Sequence, residues 1–193
     1  MKIVRIAVTF LLLPAVYAPG GEIRGDCHIR FLGTSTLHDF TGTVRCMPFS
    51  ADLARGEDGG MSIPEVDISV PVDEMDTGNK DRDSQMRDMF RSERFPMIRG
   101  IIRNVDVDES RRRMGREGKV AFDLALRIRD VEKIVPVTVT GFREEGQRVR
   151  FDFTFPVSLR DFGLKPPSFL FIVRVGDRVD VTGNVRLEIS SKE

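Results

Sequence analysis

The sequence predicts an all-β chain of about eight antiparallel strands with one short amphipathic helix set among them. Three observations carry this. Apolar and polar residues alternate with period two through most of the chain. The gaps between runs hold turn-forming residues: RGEDGG at 55–60, DESRRRMGREG at 108–118, REEGQ at 143–147 and VGD at 175–177. One segment, MDTGNKDRDSQMRDMFRSERFPMIRG at 75–100, breaks the alternation and spaces its apolar residues for a helix.

The chain opens with a stretch that reads as a secretory leader rather than as part of the fold. Lys2 and Arg5 precede a short apolar run, Ile6 to Leu13, and small residues follow. The run is shorter than the roughly 20 apolar residues that span a bilayer. Cleavage is expected near 18–20, leaving a single domain over 21–193. Export to the periplasm or the extracellular space follows from this reading.

Ile23, Cys27, Ile29 and Phe31 share one phase of the first strand, and Phe40, Val44 and Cys46 share one phase of the second. GTSTLHD between them turns the chain, and antiparallel pairing about it sets Cys27 opposite Cys46. In an oxidising compartment these two would form a disulfide; the other reading is a pair of buried free thiols. Val66, Ile68, Val70 and Val72 mark the next strand. The strand from about Pro96 to Val107 has a mixed phase: Ile98 and Ile102 argue for one face, Ile101, Val105 and Val107 for the other. A bulge or burial on both faces would account for that. Val120, Phe122, Leu124, Leu126 and Ile128 alternate cleanly, as do Val135, Val137 and Val139. Val149, Phe151, Phe153, Phe155 and Val157 form another such strand, and Val179, Val181, Val185, Leu187 and Ile189 the last.

In the interrupting segment, Asn79 is placed to cap a helix beginning near Lys80. Met86, Met89 and Phe90 then fall on one face, Asp83 and Arg87 form an i, i+4 pair on the outside, and Pro96 stops the element. Such a helix either plugs an apolar opening, for which adaptable Met suits, or is a crossover that completes the core.

Antiparallel strands of this number close into a barrel or stack as a sandwich. Net charge is zero, with 30 basic and 30 acidic residues, which argues against capture of nucleic acid. Arg111, Arg112 and Arg113 read as a solvated hairpin tip among acidic neighbours. Without Trp, and with its one Tyr at position 17, the chain lacks the aromatic girdles of an outer-membrane barrel. Of the 14 Phe residues, all but Phe10 of the leader can line a dry cavity with no polar tip to satisfy, or simply pack a core.

Catalysis finds little support. Beyond the leader the titratable candidates are His28, on the polar phase of its strand, and His38 beside Asp39 in a turn. There is no nucleophile elbow, zinc motif or phosphate loop. Asp76, Asp81, Asp83 and Asp88 lack the spacing of a calcium loop and read as a solvated helix face. His38 and Asp39 are better placed to order the turn or to meet a ligand headgroup.

Three segments carry a family likeness. They are STLHDFTGTV at 35–44; VDEMDTGNKDRDSQMRDMFRSERFPMIRG at 72–100, with its D-T-G-N-x-x-R-D run and F-P break; and FPVSLRDFGLKPP at 155–167 followed by VGDRVDVTGNVRLEIS at 175–190. Together they resemble the YceI family of lipocalin-like, exported, lipid-binding proteins. The first hairpin departs from the family's frequent Lys-His by reading Thr36-Leu37-His38-Asp39, and the two cysteines are not general in the family. The resemblance implies a lipocalin-like antiparallel barrel around an apolar tunnel for a polyisoprenoid, a quinone-type lipid or another amphiphile. It implies no metal, no catalytic residue and no cofactor beyond the lipid. The expected tunnel wall is Phe31, Phe40, Ile68, Val70, Phe122, Leu124, Leu126, Val137, Phe151, Phe153 and Phe155, with Met86, Met89 and Phe90 from the helix and Phe162, Leu164, Phe169 and Phe171 near the end. A monomer or a homodimer, in transient contact with a membrane or membrane protein, fits such a carrier. The competing reading is a ligand-free β-sandwich or barrel that serves as a protein-interaction module.

Overall fold

The computed structural model describes residues 18–36, 38–165, 168–169 and 173–190. The expected leader lies outside these residues except for 18–20, which open the first strand. Among these residues ten strands run in chain order: β1 Ala18–Ser35, β2 Phe40–Arg45, β3 Phe49–Arg55, β4 Met61–Pro71, β5 Met97–Asp106, β6 Lys119–Ile128, β7 Val131–Glu145, β8 Arg148–Ser158, β9 Ser168–Phe169 and β10 Val173–Ser190. Two α-helices interrupt them among these residues, α1 Lys80–Phe90 and α2 Val107–Glu117, with short 3-10 turns at Val72–Glu74 and Arg160–Phe162.

Eight of the strands close on themselves in the order β1-β3-β4-β5-β6-β7-β8-β10, and β10 pairs back with β1 from Glu22↔Ser190 to Ser35↔Val175. All of these pairings are antiparallel. The alternation seen in the sequence thus becomes an inner apolar face and an outer wet face around a closed barrel. Closure leaves no edges in the ring itself.

β2 and β3 are two lengths of one strand facing β1, broken at Cys46–Pro48. His28 pairs Arg45 while Gly25 pairs Phe49, so one extra residue bulges out at the break. The β2 register continues to Cys27 and Cys46, which are joined in a disulfide with Cα atoms 5.4 Å apart. β3 meets β4 in only two register pairs, Ala54↔Ser62 and Arg55↔Met61. Beyond them the seam is held by Met47 N–H donating to the Ser69 carbonyl at 2.8 Å. The chain then crosses from β4 and lands on β2, where Thr43 and Asp76 exchange backbone hydrogen bonds of 2.8 and 3.0 Å.

The mixed phase of β5 has a local cause. Its register with β4 never shifts, from Ser62↔Asp106 to Pro71↔Met97. Instead Asn104 takes a left-handed φ of 54°, in the row facing Pro64, and both strands turn over together. Ile98, Gly100 and Ile102 face inward before the flip, and Val105 after it. Ile101 lies half-buried and lines neither cavity.

Four expectations need correction. The segment 108–118 is not a hairpin tip but α2. Asp106 caps it by accepting from Glu109 N–H at 2.8 Å, and Gly118 ends it at φ 68°. Arg111, Arg112 and Arg113 are nonetheless paired with acids, Arg111 to Glu144 at 2.7 Å and Arg112 and Arg113 to Glu109 at 3.0 and 3.4 Å. VGD at 175–177 does not turn; it lies within β10, beside an irregularity in the pairing with β1. α1 stops before Pro96, where Arg91 adopts a left-handed φ of 53° and its N–H reaches back to Asp88 at 3.1 Å. Asp83 does not pair with Arg87 on a wet face. It is 9% exposed and accepts from Thr77 N–H at 3.0 Å and Thr77 Oγ1 at 2.7 Å. A carboxylate beside two local donors satisfies itself there rather than reaching for a screened partner in water.

Candidate functional site

The inner face of the barrel is not filled. Two cavities, of about 650 and 300 Å³, adjoin at a belt made by Ile29, Val70, Ile98, Leu126 and Phe155, which line both. The larger alone falls within the usual range for small-molecule sites, roughly 300–1,000 Å³. Together they run from α1 at one end to α2 at the other.

The hollow persists because the large rings lie along the wall. Four Phe residues sit directly across the ladder from a glycine: Phe31 from Gly42, Phe40 from Gly33, Phe49 from Gly25 and Phe153 from Gly183. Each ring occupies the space that a Cβ on its glycine would need. Lying over a bare backbone, the ring covers its neighbour strand and leaves the lumen clear. Phe153 and Phe155, two apart on β8, stack with centroids 6.0 Å apart.

α1 closes the larger cavity. Its first turn is seated by Asn79 Oδ1, which accepts from Arg82 N–H at 3.0 Å, and by the Thr77–Asp83 contacts. Met86, Met89 and Phe90 then face the cavity, and Arg82 lays its guanidinium 4.7 Å above the Phe40 ring. Ser35, His38, Asn79, Asp81, Arg82 and Gln85 supply the polar rim. His38 and Asn79 are solvent-exposed, so the cavity meets water here. Ser35 and His38 are tied together: Ser35 Oγ donates to the His38 carbonyl at 2.6 Å and accepts from its N–H at 3.1 Å. α2 closes the smaller cavity with Val107, Ser110, Arg111 and Met114, at i, i+3, i+4 and i+7.

Of the residues expected to line a tunnel, Phe31, Phe40, Met86, Met89 and Phe90 surround the larger cavity. Ile68, Phe122, Leu124, Val137, Phe151 and Phe153 surround the smaller, and Val70, Leu126 and Phe155 stand between. Phe162 and Leu164 line neither; they are 2% and 1% exposed, packed beneath the turn after β8. Phe169 is in the short strand β9, and Phe171 lies outside the described residues. His38 is at the rim, whereas Asp39 is exposed and lines neither cavity. Cys27 of the disulfide borders the smaller cavity.

Sequence reasoning missed the polar rim of α1 and the whole of α2. Extending the Met86–Met89 stripe back by one turn reaches Arg82 and Gln85, which the apolar rule passes over because they are polar. For α2 the signal was Asp106 three residues before Glu109, a capping pair ahead of Val107 and Met114.

Outside the lumen, Asp177 knits β10 to the turn after β8. Burial alone would push its carboxyl up. Hydrogen bonds from Arg160 N–H and Ser158 Oγ, each 2.8 Å, and the Arg160 charge outweigh that and hold it below its ordinary range. Among the described residues no group of three His, Cys, Asp or Glu could hold a metal ion, and no helix is long and apolar enough to cross a membrane.

A closed eight-stranded antiparallel barrel with few helices and a hollow, Phe-lined interior defines the lipocalin-like class. Within that class the chain belongs to the YceI-like domain family, whose model matches residues 26–187. It is similar to BcnA of Burkholderia cenocepacia, with a TM-score of 0.62 and 16% identity over 83% of this chain and 95% of that one. It is also similar to a polyisoprenoid binding domain from Saccharophagus degradans implicated in plant cell wall breakdown, with a TM-score of 0.57 and 13% identity over 86% of this chain and 97% of that one. Against the YCEI protein of Campylobacter jejuni the TM-score is 0.50, at 13% identity over 100% of this chain and 94% of that one. At these identities the likeness is one of fold. No curated protein matches the sequence.

Proposed function

We propose that this chain is an exported binding protein that shelters the apolar tail of a long amphiphile inside the barrel. The ligand class is an isoprenoid, a quinone-type lipid or a comparable chain. The observation that carries the reading is the pair of adjoining cavities, about 650 and 300 Å³, walled by Phe and aliphatic side chains and wet at the α1 rim. Burying hydrocarbon contributes about 0.8 kcal/mol per CH₂, so a long tail outweighs the cost of association. The likeness to a polyisoprenoid binding domain supports the same class. The Cys27–Cys46 disulfide supports an oxidising compartment, periplasmic or extracellular.

The test is organic extraction and mass spectrometry of protein purified from its native host. A stoichiometric apolar molecule is expected. Its absence, together with failure to take up a prenyl lipid added from detergent, would overturn the proposal in favour of a ligand-free interaction module. Residues after the leader contain no Trp or Tyr, so a bound quinone would also stand out in near-ultraviolet absorbance. Phe153→Asp or Phe122→Asp sets a charge on the lumen wall and is expected to abolish uptake. His38→Ala at the rim is expected to leave uptake of long chains largely intact.

A further inference from the structure

The lumen reaches water at two places. One is the α1 rim. The other is α2, where Arg111 both lines the smaller cavity and is exposed. Ser110 and Arg111 are the polar side chains of this cavity among the described residues, and its walls are otherwise apolar, as the end of a hydrocarbon tail requires.

The barrel wall parts beneath α2. β5 and β6 pair only from Arg99↔Arg127 to Ile102↔Leu124. β5 then runs on to Asp106 beside β4, and β6 starts at Lys119 beside β7. α2 leaves the end of β5, covers the gap against β4, β5 and β6, and rejoins the wall at Lys119.

This cover is held far more lightly than α1. α1 buries Asp83, Met86 and Phe90, whereas α2 buries none of its residues. Among the described residues two side-chain ties fix α2 to the strands. Met61 N–H donates to Asp108 Oδ2 at 2.8 Å, and Arg111 meets Glu144 at 2.7 Å. The side chains of that ion pair are 43% and 37% exposed, so water competes for it and screens it. The remaining ion pairs of α2, from Arg112 and Arg113 to Glu109, stay within the helix. A segment with few buried contacts and exposed ties opens at small cost. Gly118, at φ 68° with nothing within 4 Å of an added Cβ, is free to take up the rotation at one end.

We propose that α2 is a second mouth of the tunnel, which opens to let the end of an apolar tail longer than the lumen pass out between β5 and β6. Asp108 and Glu144 are then positioning residues that set tail-length preference. A short chain fits beneath the closed helix. A long chain binds only the open state, and its apparent affinity falls with that state's population. This rests on the carrier reading above.

The experiment loads purified protein from detergent micelles with prenyl alcohols of increasing tail length, and reads occupancy by native mass spectrometry. Hydrogen exchange over 107–117 and trypsin cleavage at Arg111, Arg112, Arg113 and Arg116 report on α2; exchange over 80–90 reports on α1. Short chains are expected to protect α2. Beyond one tail length, exchange and cleavage of α2 are expected to rise at least about ten-fold above the short-chain complex, while α1 stays protected. Asp108→Ala with Glu144→Ala is expected to raise the ratio of long to short chains bound about three- to ten-fold, the weight of two exposed ties. Long chains bound with α2 still protected, long chains refused while short ones bind, or an unchanged ratio in the double variant would overturn this inference and leave the carrier reading standing. Uptake of no chain at any length by folded protein would overturn both.

Discussion

At the scale of single residues, the Phe–Gly pairs decide whether the barrel is hollow. Each glycine is required by the ring lying on it, not by its own backbone angles. At Gly183 an added Cβ would come 2.6 Å from the His28 carbonyl oxygen and run into the Phe153 ring. Gly183→Ala is therefore expected to destabilise the protein by about 1–3 kcal/mol, the cost of overpacking, as read from denaturant unfolding. A change of a few tenths would show that the wall yields easily. Asp177 makes a separate prediction. Its carboxyl is depressed in the folded protein, so the unfolded chain binds more protons and stability rises with pH across that window. The contribution is complete above the ordinary aspartate value, about 4, and is lost as pH falls through the depressed one. NMR shifts of residues 158–163 are expected to titrate in that acid range in the wild type and not in Asp177→Asn. Identical titration in both would refute the assignment.

At the scale of elements, α1 behaves as a lid held by its own first turn. The crossing strand is bridged to β2 through Thr43 and Asp76, the helix start is tied by Thr77 and Asp83, and only side chains press on the cavity. Asp83→Ala leaves the Thr77 N–H and hydroxyl without their partner and is expected to cost about 1–3 kcal/mol. Arg87→Ala, which removes no bond to Asp83, should fall within about 0.5 kcal/mol of wild type. Equal losses would restore the exposed i, i+4 pair that the sequence suggested. α2 was hidden for a different reason. Four arginines, a glycine and three acids in 11 residues look like turn and solvent, and only Val107 and Met114 mark an apolar stripe. The capping Asp106 at the end of β5 was the fainter and more informative sign.

At the scale of the whole molecule, closure and the disulfide act on the same seam. β3 and β4 share two register pairs and then part, so the ring is weakest where β2 gives way to β3. The Cys27–Cys46 bond, across 19 residues of sequence, ties β1 to that break. Replacing both cysteines by Ala is expected to lower stability by about 3 kcal/mol while the barrel still folds under mild conditions. Calorimetry of the double variant checks this, and an unchanged melting temperature would show that the seam holds without it.

The sequence by itself determined the faces: period-two alternation is a local property of each strand, so the inward and outward residues of β6, β8 and β10 could be read residue by residue. It also determined the Asn79 cap, the Met–Phe stripe of α1 and the placing of Cys27 opposite Cys46, all set by short spacings, while the bond between the cysteines came from the structure. Only the tertiary structure decided that the strands close and do not stack, because closure depends on β10 returning to β1 across the length of the chain. It alone decided that Phe162 and Leu164 pack beneath a turn while Phe153 faces a hollow, since the same apolar residue fills or lines according to what stands opposite. A glycine there leaves room for the ring to lie flat, and that partner is chosen by cross-strand register, which no single strand encodes.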